Sequence, residues 1–364
     1  MKLRGQKTRG HLVSSILTGS WRDSDFPPLE LSELQLDEVT PLLYGSGAGA
    51  LGWWRLRSSH LGKTASTELL HQAYRLLTLQ SAIHEEKIAK VFKLLRESSI
   101  EPILIKGRAA AELYPDRALR PYGDIDLLVR PSQFQVALEI LAQPGAKDCW
   151  VDLHKDLDEL DDRSLDKLFE RSRLLSVKGE KIRVLSLEDH LALLAIHLLK
   201  HGAWRPLWLC DVGAAIESLP ADFDWSVCLG ENSKRVGWIK TAISLSQNLL
   251  GARVENLPSD IPVLLPTWLV ESVLRHWEQP FAINQPPMSH PLPIFTALRK
   301  PGMFVEALRQ RWPNPILATT SVNGKFNNVP RLPYQLGNCL IRTGRLLLNL
   351  PRVFSSRKGS LSHG

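Results

Sequence analysis

The spacing of apolar and polar residues divides the chain into stretches of different period. From Thr64 to Ser98, Leu69, Leu70, Ala73, Leu76, Leu77, Ile83, Ile88, Val91, Leu94 and Leu95 recur three and four residues apart, with no Gly or Pro between them. This spacing predicts one long or two consecutive amphipathic helices. The period then shortens. Glu101–Gly107 reads as a short strand closed by glycine, Arg108–Tyr114 as an Ala-rich helix stopped by Pro115, and Gly123–Val129 as a second strand, reached through a loop over Asp116–Tyr122. Ser132 suits the N-cap of a helix over 133–142, and a Pro144-Gly145 break precedes a third strand candidate, Asp148–His154. Strand, helix, strand, helix, strand is the order of a small sheet with crossover helices, and the fold class expected is α+β.

Around this block the pattern is less regular. Residues 1–62, rich in Gly, Ser and Pro with a short amphipathic piece over 29–43, read as an irregular N-terminal lead-in. Residues 63–155 read as the helix plus the small sheet, 156–250 as a helical domain, and 251–364 as a Pro- and Trp-rich basic region to which the pattern assigns no fold. Within 156–250 the acidic stretch Asp156–Glu170 is expected to be exposed. Helices are predicted over Leu187–His201, Leu207–Leu219 and Val236–Leu250; the first has Ser186 as N-cap and Glu188 and Asp189 in its first turn, where negative charge suits the dipole. There is no internal repeat.

Composition narrows the class. At 364 residues and 44% hydrophobic, the chain is long enough for a sizeable core and more than one domain, and it is neither collagen-like nor low-complexity. Cys149, Cys210, Cys228 and Cys339 are far apart and form no short metal-binding spacing, which argues against a thiol zinc site and a disulfide scaffold and fits a reducing, cytoplasmic setting. No apolar run approaches the roughly 18 residues of a membrane span. The basic start, Met1–Ser20, has an apolar stretch over 11–17 that is too short for a secretory signal. The net charge of +7 is concentrated late: from Pro291 onward eleven Lys and Arg face one acid, Glu306. Such a tail is either a solvated basic surface or a weak contact for an anionic membrane or nucleic acid.

The candidate chemistry centres on Asp124 and Asp126. On a strand, residues i and i+2 share a face, so the two carboxylates stand side by side while Ile125 points the other way. Carboxylates that close repel each other unless a cation intervenes, and Mg²⁺ suits hard oxygen ligands; a solvated pair at a strand end is the alternative. Lys106-Gly107 ends the preceding strand and opens a helix, where backbone N–H groups can receive a phosphate. Asp152, between Val151 and Leu153 on the third strand, can reach the same ion, and Arg108 and Arg120 bracket the loop as phosphate clamps.

The stretch from Ile103 through Lys106-Gly107, Tyr114-Pro115, Arg120 and Gly123-Asp-Ile-Asp-Leu-Leu-Val129 resembles the nucleotidyltransferase-like family of the DNA polymerase β superfamily. These largely uncharacterised bacterial proteins carry a KG…YP…R…DxDLLV signature, and the resemblance covers roughly residues 86–201. It implies a small mixed-sheet nucleotidyltransferase core. Asp124 and Asp126 would bind two Mg²⁺ ions, with Asp152 as the third carboxylate and Lys106, Gly107, Arg108, Arg120 and Gly123 as the nucleotide-binding set. The reaction implied moves a nucleoside monophosphate from an NTP to a hydroxyl- or phosphate-bearing acceptor, whether small molecule, protein or saccharide, and releases pyrophosphate. The chain departs from better-known members in having Gly107-Arg108 where they carry Gly-Ser, and in a longer gap from Gly107 to Asp124. A catalytically degenerate nucleotide-binding or scaffold protein is therefore the alternative.

A second constellation lies on the predicted helix over 187–201. His190, His197 and His201, spaced seven and four apart, share a face, with Asp211 further on. They are either structural or substrate-lining histidines or the ligands of a metal-dependent hydrolase. His154 is either a partner of Asp152 or an acceptor-site residue, or else a strand-end histidine satisfied by backbone. The tryptophans after Arg205, among them Trp208, Trp225, Trp238, Trp268, Trp277 and Trp312, are expected in the core or at interfaces.

Overall fold

Five strands form one sheet: β1 (Ile103–Leu104), β2 (Ile125–Leu128), β3 (Val151–His154), β4 (Arg173–Val177) and β5 (Glu180–Val184). They lie in the order β3-β2-β1-β5-β4. The structure is a computed structural model and describes residues 7–254, 257–279 and 311–344. β2 and β3 run parallel, as do β1 and β5, while β1–β2 and β4–β5 are antiparallel, so the α+β, mixed-sheet expectation is met.

Two of these strands were not anticipated. β4 and β5 expose Arg173, Ser176, Lys181 and Arg183 to varying degrees, and only Leu175, Val177, Ile182 and Val184 turn inward. The hairpin signal lay in the Lys178-Gly179 pair, where φ is +51° and +83°, matching the positive-φ two-residue turns that join antiparallel strands.

Residues 1–62 contain helices rather than an irregular lead-in: α1 (Arg9–Leu17), α2 (Glu33–Gly45) and α3 (Gly49–Leu56). Their sequences hide this because Gly10, Pro41, Gly49 and Gly52 lower intrinsic propensity, and packing supplies the stability. At Gly10 a Cβ would stand 2.2 Å from the carbonyl oxygen of Leu274, so only glycine permits that approach. α2 is held at its start by a reciprocal capping box between Ser32 and Gln35.

The long helix is one element, α4 (Ala65–Glu97), capped by Thr64. It is followed by α5 (Arg108–Ala111), α6 (Phe134–Leu141), α7 (Leu165–Arg171), α8 (Leu187–Lys200), α9 (Pro206–Glu217), α10 (Trp225–Leu229), α11 (Ser233–Leu250), α12 (Thr267–Trp277) and α13 (Pro315–Ser321). Ser186 caps α8 as expected, its hydroxyl accepting from the Asp189 N–H. Ser132 does not cap α6, because a 3₁₀ turn over Pro131–Gln133 intervenes. The stretch 156–170 is not simply exposed: Leu157, Leu160, Leu168 and Phe169 are buried and anchor it.

The two faces of the sheet face different cores. Leu104, Ile125, Leu127 and Val129 pack with Ile88, Val91, Phe92 and Leu95 of α4. Ile103, Ile105 and Leu128 join the core built from α1–α3, α8, α9 and α11. This is the period-two alternation of a strand buried on both sides.

Of the late basic residues, Arg299, Lys300, Arg309, Arg345, Arg352, Arg357 and Lys358 lie outside the described residues, as does Glu306. Arg331 is described and is buried over Trp268 and Tyr334, 4.6 and 4.1 Å from their ring centroids. Among the described residues no helix is long and apolar enough to cross a membrane.

Candidate active site

β2 begins at Ile125, so Asp124 sits just before the strand and Asp126 within it. Because Ile125 and Leu127 turn toward α4, Asp126 faces the opposite side, toward α8. Asp126 is in register with Asp152 on the parallel strand β3, and Leu128 with His154. Two carboxylates from adjoining strands therefore stand next to each other. Asp126 is 7% exposed, at the cleft floor, and the Asp152 side chain 60%, at its rim. His154 Nε2 lies between them, 3.5 Å from Asp126 Oδ1 and 3.4 Å from Asp152 Oδ2, and Lys106 Nζ is 3.7 Å from Asp126 Oδ1.

Burial alone would raise the Asp126 carboxyl, but the His154 imidazole 3.5 Å away and the Lys106 charge outweigh it and hold the group below its usual range. The neighbouring Asp126 and Asp152 carboxylates in turn raise His154. The floor is thus an ionised carboxylate with an imidazole drawn toward its protonated form between two carboxylates. Ligand atoms of Asp126, Asp152 and His154 all lie within 4.8 Å of one another. Asp124 lines the same cleft without belonging to that set.

Lys106, Gly107, Arg120, Gly123, Asp124, Asp126 and Asp152 all line one cleft of about 630 Å³. Gly107 adopts φ +56°, ψ −108°, a conformation strained for any side chain, with room for a Cβ beside Tyr122 and the Asp124 carbonyl. The helix it opens is only α5, four residues long, where one over 108–114 was expected. Its dipole is correspondingly small.

Arg108 requires a correction. Its guanidinium is fully buried away from the cleft, with Nε donating to Glu85 at 2.7 Å and Nη1 to Glu112 at 2.6 Å, so it ties α5 to α4 and is no phosphate clamp. Arg120 does line the cleft. Its Nε and Nη2 are committed to Asp211, Nη2 at 2.9 Å, and its Nη1 donates to the Pro121 carbonyl. The Tyr114 hydroxyl donates to the same Asp211 carboxylate at 2.7 Å.

Of the facing wall, the sequence singled out His197 and His201 but not Glu159, Arg205, Trp208 or Gln80. His197 of α8, His201 at its C-cap, Arg205, Trp208 of α9 and Gln80 of α4 all line the cleft. Trp208 is thus a wall residue, whereas Trp238 and Trp277 are core as expected. Glu159 Oε1 accepts from His197 Nδ1 at 3.2 Å. Burial would raise the Glu159 carboxyl, yet His197 and Lys106 hold it down to about 2. Burial pushes the His197 imidazole down, so a neutral ring faces an ionised carboxylate.

His190 does not join the other two histidines. It is buried near Arg173, Asp211 and Arg120, its Nε2 has no hydrogen-bond partner, and burial pushes it down to about 4. A three-histidine metal site is therefore not formed; the metal-capable group on this wall is Glu159, His197 and His201.

The profile of a family described as uncharacterised nucleotidyltransferases matches residues 37–149 and 142–243, more than half of the chain. The chain belongs to this family. No curated protein and no solved structure matches it. As the matched segments run from α2 into α11, both the carboxylate floor and the histidine wall lie within the nucleotidyltransferase region. The donor chemistry of the floor fits a hard divalent ion in such a protein: carboxylate oxygens of Asp126 and Asp152, with room in the cleft for phosphate oxygens and water.

Proposed function

We propose that this nucleotidyltransferase moves a nucleoside monophosphate from an NTP to a hydroxyl- or phosphate-bearing acceptor in a reaction that depends on Mg²⁺. The observation carrying this reading is the register pairing of Asp126 with Asp152 inside a cleft that also holds Lys106 and Gly107.

Asp126 and Asp152 would hold one Mg²⁺, and Asp124 with Asp126 a second against the phosphates. Bound there, such ions neutralise the triphosphate and stabilise the charge that develops during in-line transfer. Lys106 supplies a further fixed positive charge at the floor. With α5 so short, this ammonium contributes more to holding phosphate than the helix start does. In the step itself the acceptor oxygen forms a bond to the α-phosphorus, the bond from that phosphorus to the β-phosphate oxygen breaks, and pyrophosphate leaves. The acceptor proton passes to Asp152, whose exposure at the rim lets it hand the proton on to water.

The test incubates the full-length protein with each α-labelled NTP, Mg²⁺ and cell extract, and follows both pyrophosphate and the labelled product. Loss of several kcal/mol of charge stabilisation makes Asp126→Asn and Asp152→Asn slower by about a hundredfold or more, with the circular dichroism spectrum retained. Equal rates in the variants and the parent protein would exclude the carboxylates from the reaction. Nucleotide binding without turnover would favour the degenerate reading, which the lack of a hydroxyl at position 108 keeps in view.

A further inference from the structure

The wall facing the carboxylates carries its own set of donors. His197 in the last turn of α8 and His201 at its C-cap are four residues apart, so both rings leave the same side, with centroids 4.3 Å apart. Glu159 is brought to them by the segment before α7, which the buried Leu157 and Leu160 fix in place. One ligand atom from each of the three residues lies within 4.8 Å of the other two. Around a tetrahedral ion with bonds of about 2.0–2.2 Å, neighbouring ligand atoms stand roughly 3.3–3.6 Å apart. The 3.2 Å separation of His197 Nδ1 and Glu159 Oε1 already approaches one such edge, and His201, exposed at the cleft surface, has freedom to close the others.

The chemistry of this set differs from that of the floor. Two imidazole nitrogens and one carboxylate oxygen suit borderline ions such as Zn²⁺, whereas Mg²⁺ selects oxygens. Of the nearby cations, Arg120 is neutralised by Asp211 and the Lys200 ammonium is turned to the Asp158 carbonyl at 2.6 Å, while Lys106 acts on both the floor and this wall, so the Glu159 carboxylate is the charge that balances a second ion.

We propose that Glu159, His197 and His201 bind a divalent transition-metal ion of the Zn²⁺ class, at a site sharing no ligand with the Asp126–Asp152 floor and opening on the nucleotide cleft. The site does not depend on the nucleotidyl-transfer reading. In the test, full-length protein is stripped with chelator and dialysed against Zn²⁺ in the presence of excess Mg²⁺, and bound zinc is then counted by elemental analysis. The expected result is about one Zn²⁺ per chain, retained in Asp152→Asn and bound at least about tenfold more weakly in His201→Ala and Glu159→Gln. His201 is exposed, so His201→Ala keeps the fold, which circular dichroism checks. No zinc on the parent protein would overturn the proposal. So would zinc that persists in His201→Ala, or zinc lost from Asp152→Asn, since either places the ion elsewhere.

Discussion

The buried triad of Arg120, Asp211 and Tyr114 offers the sharpest test of how the cleft is held. Asp211 is fully buried in α9 and accepts from Arg120 Nη2 at 2.9 Å and from the Tyr114 hydroxyl at 2.7 Å. Asp211→Asn keeps the volume and removes the charge, leaving the Arg120 guanidinium buried and uncompensated. Breaking one side of such a pair costs about 3–5 kcal/mol, a large share of the roughly 5–15 kcal/mol that stabilises a typical domain. Urea unfolding followed by tryptophan fluorescence should show the unfolding free energy falling by that amount, as a lower midpoint at constant m-value. Removing both charges with Arg120→Met and Asp211→Leu together should recover most of the loss, because well-packed apolar groups replace a buried ion pair at little net cost. Nucleotide binding should stay weak in the double variant, since Arg120 also lines the cleft. A single-variant cost under about 1 kcal/mol, or a double variant no better than the worse single, would refute the account.

Three further outcomes follow from positions already described. His190 is held neutral down to about pH 4, whereas an unfolded histidine binds its proton near 6.5. The unfolded state therefore carries the extra proton between those values, and stability falls by about 3 kcal/mol as pH drops through them; His190→Leu should flatten that part of the profile relative to the parent protein. Gly107→Ala meets no clash but forces alanine into φ +56°, ψ −108°, costing about 1–3 kcal/mol, and nucleotide affinity measured by calorimetry should fall with it. Arg108→Met should destabilise by about 1–3 kcal/mol through the lost bonds to Glu85 and Glu112, Glu85 keeping Arg117 at 2.8 Å, while leaving nucleotide affinity intact, whereas a phosphate clamp would lose affinity first.

Much of the floor was legible in sequence because its signals are local. Asp124 and Asp126 around Ile125, and the glycine after Lys106, read directly as a strand mouth and a turn, and Asp152 between two apolar residues marked the neighbouring strand. The facing wall was legible only in its histidines, His197 and His201, for the opposite reason. Nothing in the spacing of Glu159 and His197, thirty-eight residues apart, says that a loop anchored by Leu157 and Leu160 will bring them within 3.2 Å. His190 and Arg108 show the converse error: periodicity put His190 on the face of His197, and proximity put Arg108 beside the phosphate turn. Tertiary packing sent one into the core and the other to Glu85. The N-terminal helices escaped notice because their glycines, read as breakers, serve close helix contacts.

The length of α4 bears on how the cleft can open. Its 33 residues span about 50 Å, with Leu70 seated in one core, Ile88 to Leu95 in the other, and Gln80 reaching the cleft between them. A rigid beam shared by both halves resists any clamshell motion, since parting them would bend a continuous helix. Access to the cleft would then depend on smaller parts, the segment over 120–124 and the rings of His201 and Trp208, and ligand exchange should respond more to changes there than to any hinge.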